Sequence, residues 1–269
     1  MAFYETYGPW ALIAGASEGT GASFARALAA RGLNLILLAR RSGPLEALAA
    51  EIRSTFDVEC KTAAVDLACA EAYEQVVAAA GDDEIGLYIN NVGGDPNSST
   101  FFDTQLENWE KLVWLDVMSV MRNCYFFGNR MREQGRGGII IVGSGACYGG
   151  LSGKAVYSGV KAFDLCFGEA LWAELREFGV DVLNLILGQT DTPEYRRVLA
   201  ECGLEMPKNV ASADDVARLG LERLPYGPVC NWGSTEQEPG MAPTSPAQRR
   251  ERILAIEKAS RSFTRKAHQ

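Results

Sequence analysis

The chain has 269 residues, 47% of them hydrophobic and 22% charged, the make-up of an ordinary globular protein. It holds one histidine, His268, next to the last residue; this excludes Ser-His-Asp, Cys-His and His-ligated metal chemistry in the body of the chain, and no metal is expected. The formal net charge is −8, yet residues 245–269 hold seven Lys or Arg against two Glu, so a basic tail follows an acidic body unsuited to nucleic acid.

In chain order, short apolar runs alternate with helical patterns. Residues 10–15, 33–39, 58–65, 86–91, 138–143 and 182–187 read as strands, apolar on both faces as in a sheet covered on two sides. Residues 19–31, 44–56, 70–80, 105–134 and 155–178 read as helices, with Gly32, Gly135, Gly137 and Gly179 marking their ends. Strand and helix in strict alternation predict a parallel sheet with right-handed crossovers, which binds ligands beyond its C-terminal strand ends. Residues 1–233 are expected to form one domain. Residues 207–269 are less regular, with a loop at 236–246 before a last helix. Within 246–269, Ile253, Leu254, Ile256 and Phe263 lie among basic residues; they predict a helix packed on the body or a neighbouring subunit, or one lying on an acidic membrane surface.

The seven cysteines form an odd set without a CxxC pair and sit mostly in apolar stretches, as reduced core thiols of a cytoplasmic protein do. Met1 to Trp10 lacks the features of a signal peptide, and no segment reaches the roughly 18 apolar residues of a membrane span.

Three motifs carry chemistry. The first strand runs into Ala14-Gly15-Ala16-Ser17-Glu18-Gly19-Thr20-Gly21 and then a helix, a glycine turn whose main-chain N–H groups and helix N-terminus suit a pyrophosphate. The second strand ends in Arg40-Arg41, where folds that take NAD place a carboxylate for the ribose. A guanidinium suits a 2′-phosphate instead, so NADP(H) is expected over NAD(H); two solvated arginines are the plainer alternative. Third, Tyr157 and Lys161 share a helix face four residues apart, with Ser144 at the end of the fifth strand. Together they offer a proton donor, a charge that eases its ionisation and a hydroxyl to orient a carbonyl.

With Asn90-Asn91-Val92-Gly93 added, these motifs resemble the short-chain dehydrogenase/reductase family over roughly residues 8–233. The resemblance implies a doubly wound (Rossmann) α/β fold with a seven-stranded parallel sheet, and hydride transfer between a nicotinamide cofactor and a small carbonyl substrate. It also implies a homodimer or homotetramer built on the helices at 105–134 and 155–178. Tyr7 to Ala11, Ala39-Arg40-Arg41 and Tyr157 to Phe163 look most like the branch of 17β-hydroxysteroid dehydrogenases and long-chain 3-oxoacyl-CoA reductases, without that branch's membrane segments. By resemblance, Ser144, Tyr157, Lys161 and Asp116 are the catalytic positions. The cofactor would lie on Gly15, Ser17, Glu18, Gly19, Thr20 and Gly21, with Arg40 and Arg41 at the 2′-phosphate and Asp66 and Leu67 at the adenine. Asn91, Val92, Gly93, Tyr157, Lys161, Gly188, Thr190 and Thr192 would line its nicotinamide half. The substrate pocket would draw on Cys147, Tyr148 and Leu151, the loop 94–97, and Tyr195, Leu199 and Met206, which read as apolar-pocket or core residues. Arg196 and Arg197 read as contacts for an acidic group or as a solvated helix face.

The sequence departs from the family at three places. Ala14 stands for a threonine and Leu187 for a proline. Asp116 stands where the family's catalytic asparagine is expected, and a carboxylate there would perturb Lys161. Two other readings remain beside the enzyme: a catalytically silent NADPH-binding sensor, and a lipid ketone reductase on a membrane surface.

Overall fold

The computed structural model describes residues 3–95, 97 and 99–260, with side chains to Lys258. Its strands are β1 (Trp10–Ala14), β2 (Asn34–Ala39), β3 (Cys60–Ala64), β4 (Ile85–Asn90), β5 (Gly137–Ser144), β6 (Val180–Leu187), β7 (Thr190–Asp191), β8 (Ala211–Ser212) and β9 (Val229–Asn231). Its helices are α1 (Phe3–Tyr7), α2 (Gly19–Ala29), α3 (Ser42–Thr55), α4 (Ala72–Ala80), α5 (Leu106–Val113), α6 (Ser119–Gln134), α7 (Ala155–Leu175), α8 (Pro193–Glu201), α9 (Ala213–Arg223) and α10 (Pro246–Ser260).

Strand β1 has no polar side chain and is buried along its whole length, which suits it only to the middle of a covered sheet. It lies there, in a seven-stranded parallel sheet of order β3-β2-β1-β4-β5-β6-β9. The chain winds outward from β1 to β3 and then crosses to β4 on the other side. That reversal opens a crevice at the C-terminal ends of β1 and β4. Alternate side chains feed two cores: Ala11, Ile13, Leu35 and Leu37 pack with Phe24 and Leu28 of α2, and Leu12, Ile36, Tyr88 and Ile139 with Phe127 and Met131 of α6. Each such Leu or Ile contributes roughly 1.5–3 kcal/mol by leaving water.

The expected doubly wound, seven-stranded fold is present, and four local readings change. The strand expected at 58–65 starts only at Cys60. The helix expected at 105–134 is divided by a π turn, Trp114–Met118, where the Ser119 N–H donates to the Trp114 carbonyl five residues back. The stretch after 207 that read as irregular contains β8, α9 and the edge strand β9. Of the cysteines, Cys60, Cys124, Cys147 and Cys230 are buried, but Cys166 and Cys202 are exposed.

Helix α10 lies against α7 and β9. Arg249 pairs with buried Glu169, Arg176 Nη2 lies 2.7 Å from Glu257 Oε2, and Arg250 Nε donates to the Gly227 carbonyl at 2.9 Å. Phe263 and His268 fall outside the described residues. Among the described residues no helix is long and apolar enough to cross a membrane.

Candidate active site

The glycine turn sits at the crevice. Gly15 (φ +79°) and Gly19 (φ +56°) have left-handed backbones that side chains resist. Gly21 faces the Gly15 carbonyl, and a Cβ there would also come within 2.8 Å of Asn91 Nδ2. The Asn91 amide donates to that same carbonyl at 3.0 Å, tying the turn to the end of β4. Ala14 offers no hydroxyl, and the turn is held instead by the N–H groups of Gly15 and Ala16, both donating to the Leu38 carbonyl. Helix α2 begins behind Glu18 without a side-chain cap, so its first N–H groups face the crevice with no side chain to satisfy them. Thr20 is buried and Ser17 half-buried on this turn. Thr190 Oγ1 is also buried without a hydrogen-bond partner among the described residues. An uncapped helix start and an orphaned hydroxyl two residues before the Thr192 that touches Gly19 both fit a dinucleotide.

At the end of β2, Arg40 is exposed, while Arg41 Nη2 lies 2.9 Å from Glu18 Oε2. Glu18 also meets Arg197 of α8 at 2.5 Å; Arg197 first, with Arg41, holds the Glu18 carboxyl below its usual range. Arg196 is paired with Asp191 at 2.6 Å, so both arginines of α8 are engaged by acidic neighbours. Asp66 Oδ1 accepts from the Ala68 N–H at 3.2 Å, closing a turn, beside buried Leu67.

Ser144 ends β5, and its Oγ accepts from the Ala146 N–H at 3.3 Å. The short turn that follows, Gly145–Tyr148, packs on α7, which carries Tyr157 and Lys161. The Tyr157 ring is half-buried against the cluster of Trp109, Leu112 and Val160. Lys161 is 2% exposed, and its Nζ lies 2.6 Å from Asp116 Oδ1 and 3.1 Å from Asp164 Oδ2. Burial works against the ammonium, but Asp116 and Asp164 outweigh it and hold Lys161 above its ordinary value. Asp116 lies within the π turn and is wholly buried. Gly93 (φ +115°) covers the pair so closely that a Cβ would come within 2.6 Å of Lys161 Nζ and strike Asp116. Val92 beside it packs on the core.

Around the crevice, Cys147 packs with Leu165, Ile186, Val229 and Tyr148, whose hydroxyl donates to Asn231 Oδ1 at 2.7 Å. Leu151 is exposed, Tyr195 half-buried and Leu199 buried. Thr192 caps α8 by accepting from the Tyr195 N–H at 3.1 Å and lies against Gly19. Part of the loop 94–97 lies outside the described residues. Two features were missed in the sequence. Asp164 follows Lys161 by three residues, and that spacing on a helix could have found it. Met241, from the loop before α10, lies over Gly145 and within 3.6 Å of a Cβ built on Gly188, and no local motif marks it.

The family model described as short chain dehydrogenase matches residues 9–202. The chain is 34% identical over 193 residues to a 7β-hydroxysteroid dehydrogenase of Collinsella aerofaciens, covering 72% of this chain and 73% of that one. It is 30% identical over 182 residues to the very-long-chain 3-oxoacyl-CoA reductase of Homo sapiens, covering 66% of this chain and 58% of that one. A solved 7β-hydroxysteroid dehydrogenase superposes with a TM-score of 0.81 at 27% identity, over 94% of this chain and all (100%) of that one. A short-chain dehydrogenase of Sphingobium yanoikuyae in complex with NADPH superposes at 0.77 with 26% identity, over 97% and 98% of the two chains.

Proposed function

The chain is a member of the short-chain dehydrogenase family, and we propose that it is an NADP(H)-dependent oxidoreductase interconverting an apolar ketone and its secondary alcohol. The observation that carries this reading is the gathering at one sheet edge of an uncapped glycine turn, Ser144, and the Tyr157–Lys161 face of α7. NADPH, when bound, supplies the hydride. Gly15 to Gly21 would hold its pyrophosphate, Ser17, Arg40 and Arg41 its 2′-phosphate, Asp66 and Leu67 its adenine, and Gly188, Thr190 and Thr192 its nicotinamide.

In reduction, Ser144 donates a hydrogen bond to the carbonyl oxygen and Tyr157 gives that oxygen its proton. Lys161 keeps a positive charge near the phenolate that remains. Two of its three N–H bonds are directed at carboxylates, leaving one for the nicotinamide ribose. Proton transfer of this kind contributes roughly 10² to 10⁴ in rate. Leu151, Tyr195, Leu199 and Met241 give the pocket its apolar character. The names of the relatives, a hydroxysteroid dehydrogenase and a 3-oxoacyl-CoA reductase, support a steroid-like, aryl or acyl ketone. The Sphingobium complex supports NADPH. We place the enzyme in the cytoplasm as a homodimer or homotetramer.

One observation favours a second reading, a silent NADPH-binding protein: Lys161 is clamped by two carboxylates where its relatives are expected to have an asparagine. The membrane-surface reading loses support because Arg249 and Arg250 turn inward to Glu169 and Glu236. The test follows NADPH and NADH oxidation against a 17-ketosteroid, a 7-ketosteroid, a 3-oxoacyl-CoA and an aryl ketone, in wild type and Arg40→Ala. Turnover with NADPH, and an NADPH affinity lowered about tenfold by Arg40→Ala with NADH unaffected, is expected. Tight NADPH binding with no turnover would favour the silent reading.

A further inference from the structure

Behind Tyr157 lies a cluster with more negative charge than its one ammonium balances. Asp116, Lys161 and Asp164 are 0%, 2% and 1% exposed, and Lys161 Nζ reaches both carboxyls at 2.6 and 3.1 Å. Asp116 Oδ2 and Asp164 Oδ1 are buried without a hydrogen-bond partner among the described residues. The groups facing the cluster add no cation. They are Tyr157 on α7, Asp95 after β4, Tyr88 on β4 and Cys124 on α6. The nearby Lys154 is paired with Asp95 at 2.9 Å. Two buried carboxylates on one ammonium would leave a whole negative charge without compensation, which protein interiors avoid.

Resting on the reading of Lys161 as the partner of Tyr157, we propose that Asp164 is a positioning residue for the reaction. With Asp116 it fixes the direction of the Lys161 ammonium, and the two carboxyls share a single proton around it. While that proton is held, the trio is neutral. Once it leaves, the trio carries one net negative charge close to Tyr157, opposing the phenolate that ketone reduction creates. Burial, with the Asp116 charge adding and Lys161 opposing, pushes the Asp164 carboxyl up to about 6. The loss of the proton therefore falls within the pH 4 to 9 span of the test below.

Infrared difference spectra of the substrate-free protein across pH 4 to 9 read the shared proton directly. Wild type shows the carbonyl stretch of a buried carboxylic acid that disappears with a midpoint near 6, and Asp164→Asn lacks it. In parallel, wild-type kcat for ketone reduction falls about tenfold as the proton leaves, with KM little changed; in Asp164→Asn this limb is gone. Asp116→Asn removes the same charge and serves if Asp164→Asn fails to fold. A wild-type spectrum without a titrating acid, or a kinetic limb that persists in both variants, overturns the proposal. A titrating acid in a protein that reduces no ketone would overturn the positioning role together with the proposed reaction, while leaving the shared proton standing.

Discussion

Asp164 has a consequence for stability as well as for proton transfer. Its carboxyl titrates at about 6 in the folded protein, and near 4 as an ordinary carboxyl of the unfolded chain. Between those values the folded state binds the extra proton. The group thus contributes stability that is fully present below about pH 4 and is lost as pH rises through about 6. The loss amounts to about 2–3 kcal/mol. Asp164→Asn, which keeps the shape and drops the charge, is expected to melt several degrees above wild type at pH 8 and level with it at pH 4. Equal melting temperatures at both values would show that the second carboxylate costs nothing in the folded protein. Gly93 belongs to the same account, since its lack of a side chain is what lets Asp116 and Lys161 meet beneath it.

Among the contacts that hold α10 to the body, the Arg249–Glu169 ion pair is the most buried of those described. Glu169 is 4% exposed, and Arg249 reaches it from α10 while stacking over Tyr148. Arg249→Ala would leave a buried carboxylate whose next cation, Arg252, is 4.0 Å away, and is expected to destabilise the protein by about 3 kcal/mol. Thermal melting checks it, and an unchanged Tm would mean that the pair contributes nothing to stability. Much of this architecture was legible in the chain. Apolar runs fixed β1, β2, β4, β5 and β6, because strands buried on both faces leave no polar period to misread. The start of α9 was also written there, in Ser212 as a cap with Asp214 and Asp215 in the first turn, though the polar surroundings hid it. The π turn was not legible, because Trp114–Met118 holds no Gly or Pro to mark a break in the helical pattern. Met241 was hidden likewise, since only the fold brings it to Gly145 and Gly188.

For the whole molecule, the outer face of α5 and α6 stands out. Leu106, Val113, Met121 and Tyr125 are 61%, 37%, 39% and 72% exposed on it, an apolar stripe that a lone subunit would leave in water. The account expects a solution mass of at least two 29.2 kDa chains, and Tyr125→Glu to shift it toward one. Light scattering on the eluting protein decides it; a wild-type monomer would contradict the assembly. The sheet, by contrast, needs no partner to place the crevice, since β1 and β4 and the residues after them all come from one chain.

The central claim is that Tyr157 passes the proton while the rest of the site holds cofactor and ketone. The most direct test is Tyr157→Phe, read as NADPH affinity by fluorescence and as NADPH oxidation with the best ketone. Cofactor affinity is expected within about twofold of wild type and turnover lower by roughly 10² to 10⁴. Turnover left unchanged by the loss of that one hydroxyl would contradict it.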